Sequence, residues 1–293
     1  MRTKLVSMAV LACASLASAV YLLEQGAPFP WMNWLLMLFA TLAVDMGTTG
    51  FNTYFDFVKG VDRKETNHEE MKVLVHEGVS PSQAFLSSIV LFAIAVILGL
   101  AITIRTGWAV AASGSICMLV GFFYSAGPKP ISHTPFGELF SGGFLGSALF
   151  CISWFVLTDD FSVKPFLFSV PLWLMISGIL TVNNNCDLES DKAAGRRTMS
   201  IVFGLKGGRI LLFCEYIAAI ALLLIMQYGM QIYPKGIPLV TLSLIILLIV
   251  EFIFLERRGF SLLVKGPAMG SILNIFLTGA VLVAYPLAVN LLT

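Results

Sequence analysis

The sequence predicts an all-α integral membrane protein, and two features of its 293 residues lead to this fold class. Hydrophobic residues make up 58% of the chain and charged residues only 12%, with a mean hydropathy of +0.89, values outside the range of soluble domains. The apolar residues also form continuous runs of roughly 20 residues, the length of a helix that crosses a bilayer. Such runs differ from the roughly ten-residue alternating segments of a membrane β-barrel.

Nine apolar runs follow one another along the chain. Short polar loops separate them, and no low-complexity tract or soluble insertion interrupts the series. Residues 1–293 are therefore predicted to form a single transmembrane domain with nine helices. The predicted spans are 5–23, 31–55, 81–104, 106–125, 135–157, 164–185, 207–230, 237–255 and 267–291.

The distribution of basic residues tests this partition independently, because cytoplasmic loops accumulate Lys and Arg. With the N-terminus inside, all but three of the 18 Lys and Arg residues fall on inner segments, the exceptions being Arg105, Lys164 and Lys235. The chain is therefore predicted to have a cytoplasmic N-terminus and an outer C-terminus. The net charge of +1 indicates nothing about partners, but the sequence has no basic helix face or nucleic-acid motif, so no nucleic-acid partner is predicted.

The first apolar run has a second interpretation. The stretch MRTKLVSMAVLACASLASA begins with basic residues and ends in Ala-Ser-Ala, as a secretory signal does. Cleavage there would leave the rest of the topology unchanged, so the charge pattern does not decide between the two. Because a nine-helix fold needs this segment, we expect it to be retained.

Two polar stretches stand at the inner ends of the second and sixth runs. Asn52 and Asp56 are four residues apart in the first stretch, and Asn183, Asp187 and Asp191 have the same spacing in the second. Residues four apart share one face of a helix. The recurrence predicts two related four-helix halves plus a ninth helix around a central cavity, with the site at the interface between the halves.

A third inner segment, YSAGPKPISHTPFGELF, is expected to lie at the same level. Its three prolines prevent the helix from continuing, and its glycines permit tight turns. A rigid, shaped loop is therefore predicted between the fourth and fifth spans. It contributes Tyr124, Lys129, His133 and Glu138.

The residue types in these stretches indicate a particular chemistry. Mg²⁺ prefers oxygen ligands and is commonly held by one or two carboxylates together with substrate phosphates. Basic side chains beside the carboxylates would meet the remaining phosphate charge. The pattern predicts a lipid diphosphate held between metal ions and bases. Departure of the diphosphate would leave a carbocation at the allylic carbon, which an electron-rich acceptor would attack. The basic residues are Lys59, Arg63, Lys129, Lys192, Arg196 and Arg197.

Other classes of function fit the pattern less well. A secondary transporter would also have repeats and intramembrane acids, but its site should lie near the midplane of the membrane. A non-catalytic scaffold would not need paired acidic stretches. Structural roles are predicted for isolated polar residues: hydrogen bonds between helices for Glu215 and Glu251, and surface positions for His68, His76 and His133.

The two stretches, NTYFDFVKGVD at 52–62 and NNNCDLESDKAAGRRT at 183–198, resemble the two Asp-rich motifs of the UbiA superfamily of intramembrane prenyltransferases. The spacing of the first motif, with Gly60 before Asp62, is similar to that in the branch that prenylates dihydroxynaphthoate in menaquinone synthesis. The loop from Tyr124 to Glu138 resembles that branch as well. Cys186 departs from it, standing where that branch often has Arg.

The resemblance implies a reaction and its participants. A polyprenyl group would pass from polyprenyl diphosphate to an aromatic quinone precursor in a Mg²⁺-dependent reaction. Dihydroxynaphthoate, alkylated with loss of carbon dioxide, is the first acceptor to consider, and another quinone, haem or lipid precursor is the second. The expected location is the bacterial cytoplasmic membrane, with the active site on the cytoplasmic side. The sequence predicts neither the prenyl length nor the oligomeric state.

The resemblance also implies roles for individual residues. Two Mg²⁺ ions bridged by the diphosphate would be bound by Asn52, Asp56 and Asp62 and by Asn183, Asp187 and Asp191. The implied diphosphate contacts are Lys59, Arg63, Lys129, Lys192 and Arg196. The implied catalytic residues are Asp56, Asp187 and, near the reacting carbon, Tyr124.

Overall fold

The computed structural model describes residues 3–61, 74, 80–226 and 238–292. Across these ranges the regular structure is helical, without a strand, which confirms the all-α class. Seven helices among the described residues are long and apolar enough to cross a membrane. The protein is thus an integral membrane protein, and the count of nine spans stays a prediction.

Ten helices organise the described residues, and each of the nine predicted runs overlaps one of them. Only α7 is short, and it lies just after the second polar stretch. The helices are α1 (Thr3–Glu24), α2 (Trp31–Val58), α3 (Pro81–Thr106), α4 (Trp108–Phe123), α5 (Gly137–Thr158), α6 (Lys164–Cys186), α7 (Leu188–Ala193), α8 (Met199–Leu224), α9 (Pro238–Arg258) and α10 (Lys265–Leu292).

One boundary differs clearly from the prediction. The seventh run was expected to begin at residue 207, whereas α8 begins at Met199 and is kinked at Gly204, which has φ +70° and ψ 172°. Glycine adopts positive φ without the steric cost that a Cβ imposes. The first turn of α8 can therefore stay near the second polar stretch while the rest of the helix takes another direction.

The middle of α5 departs from α-helical geometry in a way that the apolar pattern does not predict. Residues Gly143–Ala148 form a π-helical segment. Here α5 lies close to α6: a Cβ on Gly142 would come within 2.3 Å of the Trp173 side chain, and one on Gly146 within 2.9 Å of the Trp173 Cα. Small residues permit this approach, which brings the start of α5 beside the end of α6.

The core joins helices from both ends of the sequence. α1 packs against α5 and α10, α6 packs along α8, and α10 packs against both α6 and α9. The side chains of Phe150, Leu172, Met175, Leu212 and Phe276 are 0% exposed at the centre of this cluster. Because α1 is part of the cluster, with Val10 and Ala14 also 0% exposed, its packing supports retention of the first span.

Polar residues within the helices bond to neighbouring helices. Thr181 Oγ1 on α6 donates to Glu215 Oε2 on α8 at 2.9 Å, and Thr278 Oγ1 on α10 donates to Glu251 Oε2 on α9 at 3.2 Å. The predicted interhelix role of both glutamates is confirmed. Each bond satisfies a polar group that would be costly to leave unpaired among apolar helices.

Candidate active site

The first polar stretch is held by the end of α2 and the loop after α4. Ser125 Oγ donates to Asn52 Oδ1 at 2.7 Å, and Lys59 Nζ donates to the carbonyl oxygens of Ser125 and Gly127 at 2.8 and 3.0 Å. The last turn of α2 is thereby fastened to the predicted shaped loop. Asp56 is 5% exposed, one helical turn beyond Asn52. Asp62 and Arg63 lie outside the described residues.

The second stretch is built by a helix end followed by a tight turn. α6 ends at Cys186, and Asn183 Nδ2 donates to Asp187 Oδ2 at 3.2 Å. The backbone then continues into α7, where the Asp191 N–H donates to the Asp187 carbonyl at 2.8 Å. Gly195, with φ +75°, reverses the chain after α7, a conformation that favours glycine. The reversal directs the Arg196 side chain back toward the acids.

Arg196 joins the two stretches. Its Nη2 lies 2.8 Å from Asp56 Oδ1, and its Nη1 lies 3.1 Å from Asp191 Oδ1. The three side chains are 9%, 8% and 4% exposed, so the ion pairs are buried. A guanidinium is suited to this position because its planar fork presents separate donors to two carboxylates. The structure thus brings together two sequence motifs from opposite halves of the chain.

A second cation reaches the cluster from a helix that motif reasoning did not include. Lys265, the first residue of α10, places its Nζ 2.5 Å from Asp187 Oδ2. Its side chain is 13% exposed. In the sequence this lysine was counted only among the inner basic residues that set the topology. No local signal singles it out, because its partner lies 78 positions away.

The cluster shifts the pKa values of groups outside the spans. Burial raises the pKa of Asp191 to about 6, against the opposing effect of Arg196. Burial disfavours the charged form of Arg196, but Asp56 and Asp191 outweigh it and raise the arginine pKa. Cations and acids here stabilise one another in a partly desolvated site.

His133 is not the surface residue that the sequence predicted. Its carbonyl accepts the Arg197 N–H at 2.9 Å, and its Nε2 is buried without a hydrogen-bond partner. Burial and then the charges of Arg196 and Lys59 lower its pKa to about 4, so the imidazole is neutral at physiological pH. The prediction was wrong because the turn around Gly195 lays the chain over this loop. His68 and His76 lie outside the described residues.

A buried polar layer lies beside the carboxylates. Asn184 Nδ2 donates to Glu138 Oε1 at 2.8 Å, and Ser177 Oγ donates to the Glu138 carbonyl at 2.9 Å. Ser200 Oγ donates to Asn185 Oδ1 at 2.8 Å. These bonds tie α5, α6 and α8 together directly behind the second stretch. They show why three asparagines follow one another at the end of α6: each one faces a different neighbour.

Two predicted diphosphate contacts stand apart from the buried cluster. The side chains of Lys129 and Lys192 are exposed, and neither forms an ion pair with an acid of the described ranges. Lys59 bonds to loop carbonyls and lies 5.5 Å from the Phe55 ring centre. Of the predicted basic residues that are described, Arg196 alone contacts the predicted metal-binding acids directly.

The residues present fit a hard metal ion and a phosphate ligand. Asp191 Oδ2, Arg196 Nε and Thr198 Oγ1 are buried without hydrogen-bond partners among the described atoms. Buried polar groups are normally satisfied, so these atoms indicate unused binding capacity. Within the described ranges, no three His, Cys, Asp or Glu side chains form a metal-sized group. The predicted ligand sets each contain one Asn and two Asp. Asp62 of the first set lies outside the described residues, and in the second set Asp187 and Asp191 are paired with Lys265 and Arg196.

Comparisons with known proteins show which family shares this sequence. Residues 10–262 match the model of the UbiA prenyltransferase family. The chain is 37% identical over 185 residues to the 1,4-dihydroxy-2-naphthoate octaprenyltransferase of Bacillus subtilis (strain 168), a match that covers 63% of this chain and 59% of that relative. The aligned part thus spans about three fifths of the relative's length.

Two solved structures share the fold over nearly the whole chain. One is the apo structure of a UbiA homologue from Aeropyrum pernix K1, with a TM-score of 0.68, 17% identity and coverage of 97% of this chain and 98% of that one. The other is a UbiA homologue from Archaeoglobus fulgidus bound to DMAPP and Mg²⁺, with a TM-score of 0.60, 17% identity and the same coverage. The match over residues 10–262 places the chain in the UbiA prenyltransferase family.

Proposed function

We propose that this protein transfers a polyprenyl group from polyprenyl diphosphate to an aromatic quinone precursor, with Mg²⁺ as the required cofactor. The observation that carries the proposal is the buried bridge from Arg196 to Asp56 and Asp191, because it unites both acidic stretches in one site. The family match supports the reaction class. The Archaeoglobus homologue that was solved with DMAPP and Mg²⁺ supports the pairing of a prenyl diphosphate with this metal.

The first step is capture of the diphosphate at the helix ends. Arg196 has donors for two phosphate oxygens, and its unpaired Nε adds a third. Lys59, near the end of α2, adds positive charge on the side of the shaped loop. Two Mg²⁺ ions, when bound, would neutralise charge that develops on the leaving diphosphate. The proposed ligands are Asn52, Asp56 and Asp62 for one ion, and Asn183, Asp187 and Asp191 for the other.

The second step is cleavage of the allylic carbon–oxygen bond. The bonding electrons leave with the diphosphate, and the prenyl carbon becomes a carbocation. Arg196 stabilises the departing charge without reorganisation because the acids around it already fix its position. The ring face of Tyr124 can stabilise the cation. The prenyl tail lies among the apolar helices, away from water.

The third step is attack by the acceptor ring. A ring carbon donates its electron pair to the prenyl cation, and the new carbon–carbon bond forms. With dihydroxynaphthoate as acceptor, the attacked carbon carries the carboxylate, and carbon dioxide leaves as aromaticity returns. The relative in Bacillus subtilis, whose name includes 1,4-dihydroxy-2-naphthoate, supports this acceptor ahead of other quinone, haem or lipid precursors.

The position of the acids favours the enzyme over a secondary transporter. Asp56 and Asp187 lie at the ends of α2 and α6, whereas a transporter site is expected near the midplane. We propose that these ends face the cytoplasm, with the N-terminus inside and the C-terminus outside, in a bacterial cytoplasmic membrane. Charge-based topology supports this orientation. Reporter fusions at each loop would show on which side of the membrane it lies. If the loop that contains Lys129 is found outside, the proposed orientation is wrong.

The proposed function is tested by an assay of purified protein with labelled polyprenyl diphosphates of several lengths and a panel of aromatic acceptors. We expect prenylated dihydroxynaphthoate and released diphosphate in the presence of Mg²⁺, and neither product with a chelator. If another acceptor is consumed and dihydroxynaphthoate is not, the acceptor assignment is wrong and the reaction class stands. If no acceptor is prenylated with any donor, the proposed reaction is wrong.

A further inference from the structure

The Lys265–Asp187 pair is a buried contact between distant parts of the chain. Lys265 follows the short 3₁₀ turn Leu262–Val264 and opens α10, which packs against α6. Its ammonium lies 2.5 Å from Asp187 Oδ2, the oxygen that also accepts from Asn183. The two paired side chains are only 13% and 12% exposed. The lysine thus occupies the carboxylate that is proposed to bind the second metal ion.

Helix stability does not explain a lysine at this position. The N-terminus of a helix carries partial positive charge, so a cation there destabilises the helix. Lys265 is the first residue of α10, and no acidic residue accompanies it in the first turn. Removing an ammonium and a carboxylate from water carries a further desolvation cost. Because both the helix terminus and desolvation disfavour Lys265 here, we infer that it has a role outside local folding.

The two buried cations of the site have parallel positions. Arg196 contacts Asp56 from 140 positions away, and Lys265 contacts Asp187 from 78 positions away. Each therefore serves the acid that stands four residues after an Asn. The charge of Lys265 also acts on Asp191, which Arg196 contacts directly. The five charged groups form one electrostatic unit in which Arg196 joins the two acidic stretches and Lys265 adds a second cation to the second stretch.

Resting on the proposed function, we propose that Lys265 is a diphosphate-binding residue that alternates between two anionic partners. In the ligand-free protein its ammonium neutralises Asp187. With that carboxylate bound to Mg²⁺, the ammonium would be released and would bind a diphosphate oxygen. A lysine suits such an exchange because its compact charge sits on a flexible stem and carries three donors. The positive end of α10 beside it adds to the attraction for the same anion.

The exchange predicts two changes of opposite sign in Lys265→Gln. Mg²⁺ alone should bind more tightly, because its competitor for Asp187 has been removed. Inorganic diphosphate in the presence of Mg²⁺ should bind about tenfold more weakly, because one charged contact has been lost. Both affinities can be measured by calorimetry on the purified protein. Lys265→Arg should restore diphosphate binding, and Lys206→Gln, an exposed lysine on α8, should leave both affinities unchanged.

A measurement on the unaltered protein keeps the proposal testable even if Lys265→Gln does not fold. Labelling of Lys265 by an amine-reactive reagent should accelerate when Mg²⁺ alone is added, since the ammonium then leaves Asp187. Adding inorganic diphosphate should slow it again. A labelling rate of Lys265 that changes with neither addition would overturn the proposed exchange.

The outcomes separate this proposal from the proposed function. If the unaltered protein binds no diphosphate with Mg²⁺, the proposed function fails, and the role of Lys265 fails with it. If the unaltered protein binds diphosphate and Lys265→Gln binds it equally well, Lys265 only stabilises the fold and the proposed function stands. Opposite shifts in the two affinities, with rescue by arginine, are the result that the exchange requires.

Discussion

Replacing Arg196 should destabilise the metal-free protein, because two buried carboxylates depend on its charge. In Arg196→Gln, Asp56 and Asp191 would keep their burial, at 8% and 4% side-chain exposure, and lose their shared cation. Removing one partner from a buried ion pair typically costs about 3–5 kcal/mol. We expect a loss of about 3 kcal/mol in the free energy of unfolding, or a fall in melting temperature of roughly 6–12 °C.

The assay is thermal and denaturant unfolding of the purified protein at pH 8 with a chelator present. Arg209→Gln is the matched control, because Arg209 also pairs with an acid, Glu256, but its side chain is 49% exposed. An exposed pair contributes at most about 1 kcal/mol. If Arg196→Gln loses no more stability than Arg209→Gln, the reasoning that the buried bridge holds the two stretches together is wrong.

The destabilisation by Arg196→Gln should also depend on pH. The folded-state pKa of Asp191 is raised to about 6, above the ordinary value of 3.8. Arg196 opposes this increase in the unaltered protein, so the Asp191 pKa should be higher still in Arg196→Gln. As pH falls from 8, the folded variant should therefore take up its proton before the unaltered protein does, which favours the folded variant. The loss relative to the unaltered protein should therefore shrink between pH 8 and pH 5. A loss that grows over this range would contradict the assigned direction.

Three further predictions concern other parts of the molecule. Tyr124→Phe should keep most of the turnover because it keeps the ring, whereas Tyr124→Leu should lower kcat by roughly 2- to 30-fold, the range of a cation–π contact of about 0.5–2 kcal/mol; equal rates in both variants would exclude the ring from the reaction. Gly142→Ala should cost about 1–3 kcal/mol of stability, because its Cβ would lie 2.3 Å from the Trp173 side chain. Gly99→Ala, on the open face of α3, should be neutral or stabilising, and the melting temperatures of the two variants test this difference. N-terminal sequencing of the purified protein should find α1 retained, because α1 is packed in the core, and a mature N-terminus after residue 19 would contradict it.

The parts of the fold that could be predicted are those that depend on local sequence. Each apolar run is long enough to identify its own helix, and all nine overlap helices of the structure. The four-residue spacing of Asn and Asp likewise requires only helical periodicity, and Asn183 contacts Asp187 as that spacing predicts. Glu215 and Glu251 were predicted to bond across helices because an acid among apolar residues has few other stable arrangements.

The parts that could not be predicted depend on contacts between distant residues. Nothing near Lys265 marks it as the partner of Asp187, and its basic charge is equally explained by its position on an inner loop. Arg196 was recognised as basic and close to the second stretch, but its contact with Asp56 follows from the reversal at Gly195 and from the position of the end of α2 beside the segment after α7. The π-helical segment of α5 arises from close packing on Trp173, which no periodicity encodes.

The measurement that tests the central proposal most directly is Mg²⁺-dependent prenyl transfer by the purified protein and by Asp56→Asn and Asp187→Asn. Each change keeps the side-chain size and removes one carboxylate, and folding is checked by the melting temperature. We expect turnover in the unaltered protein with Mg²⁺, loss on chelation, and a fall to background in both folded variants. Full activity in either folded variant, or turnover that persists without a divalent ion, would contradict the assignment of these acids to metal and diphosphate binding.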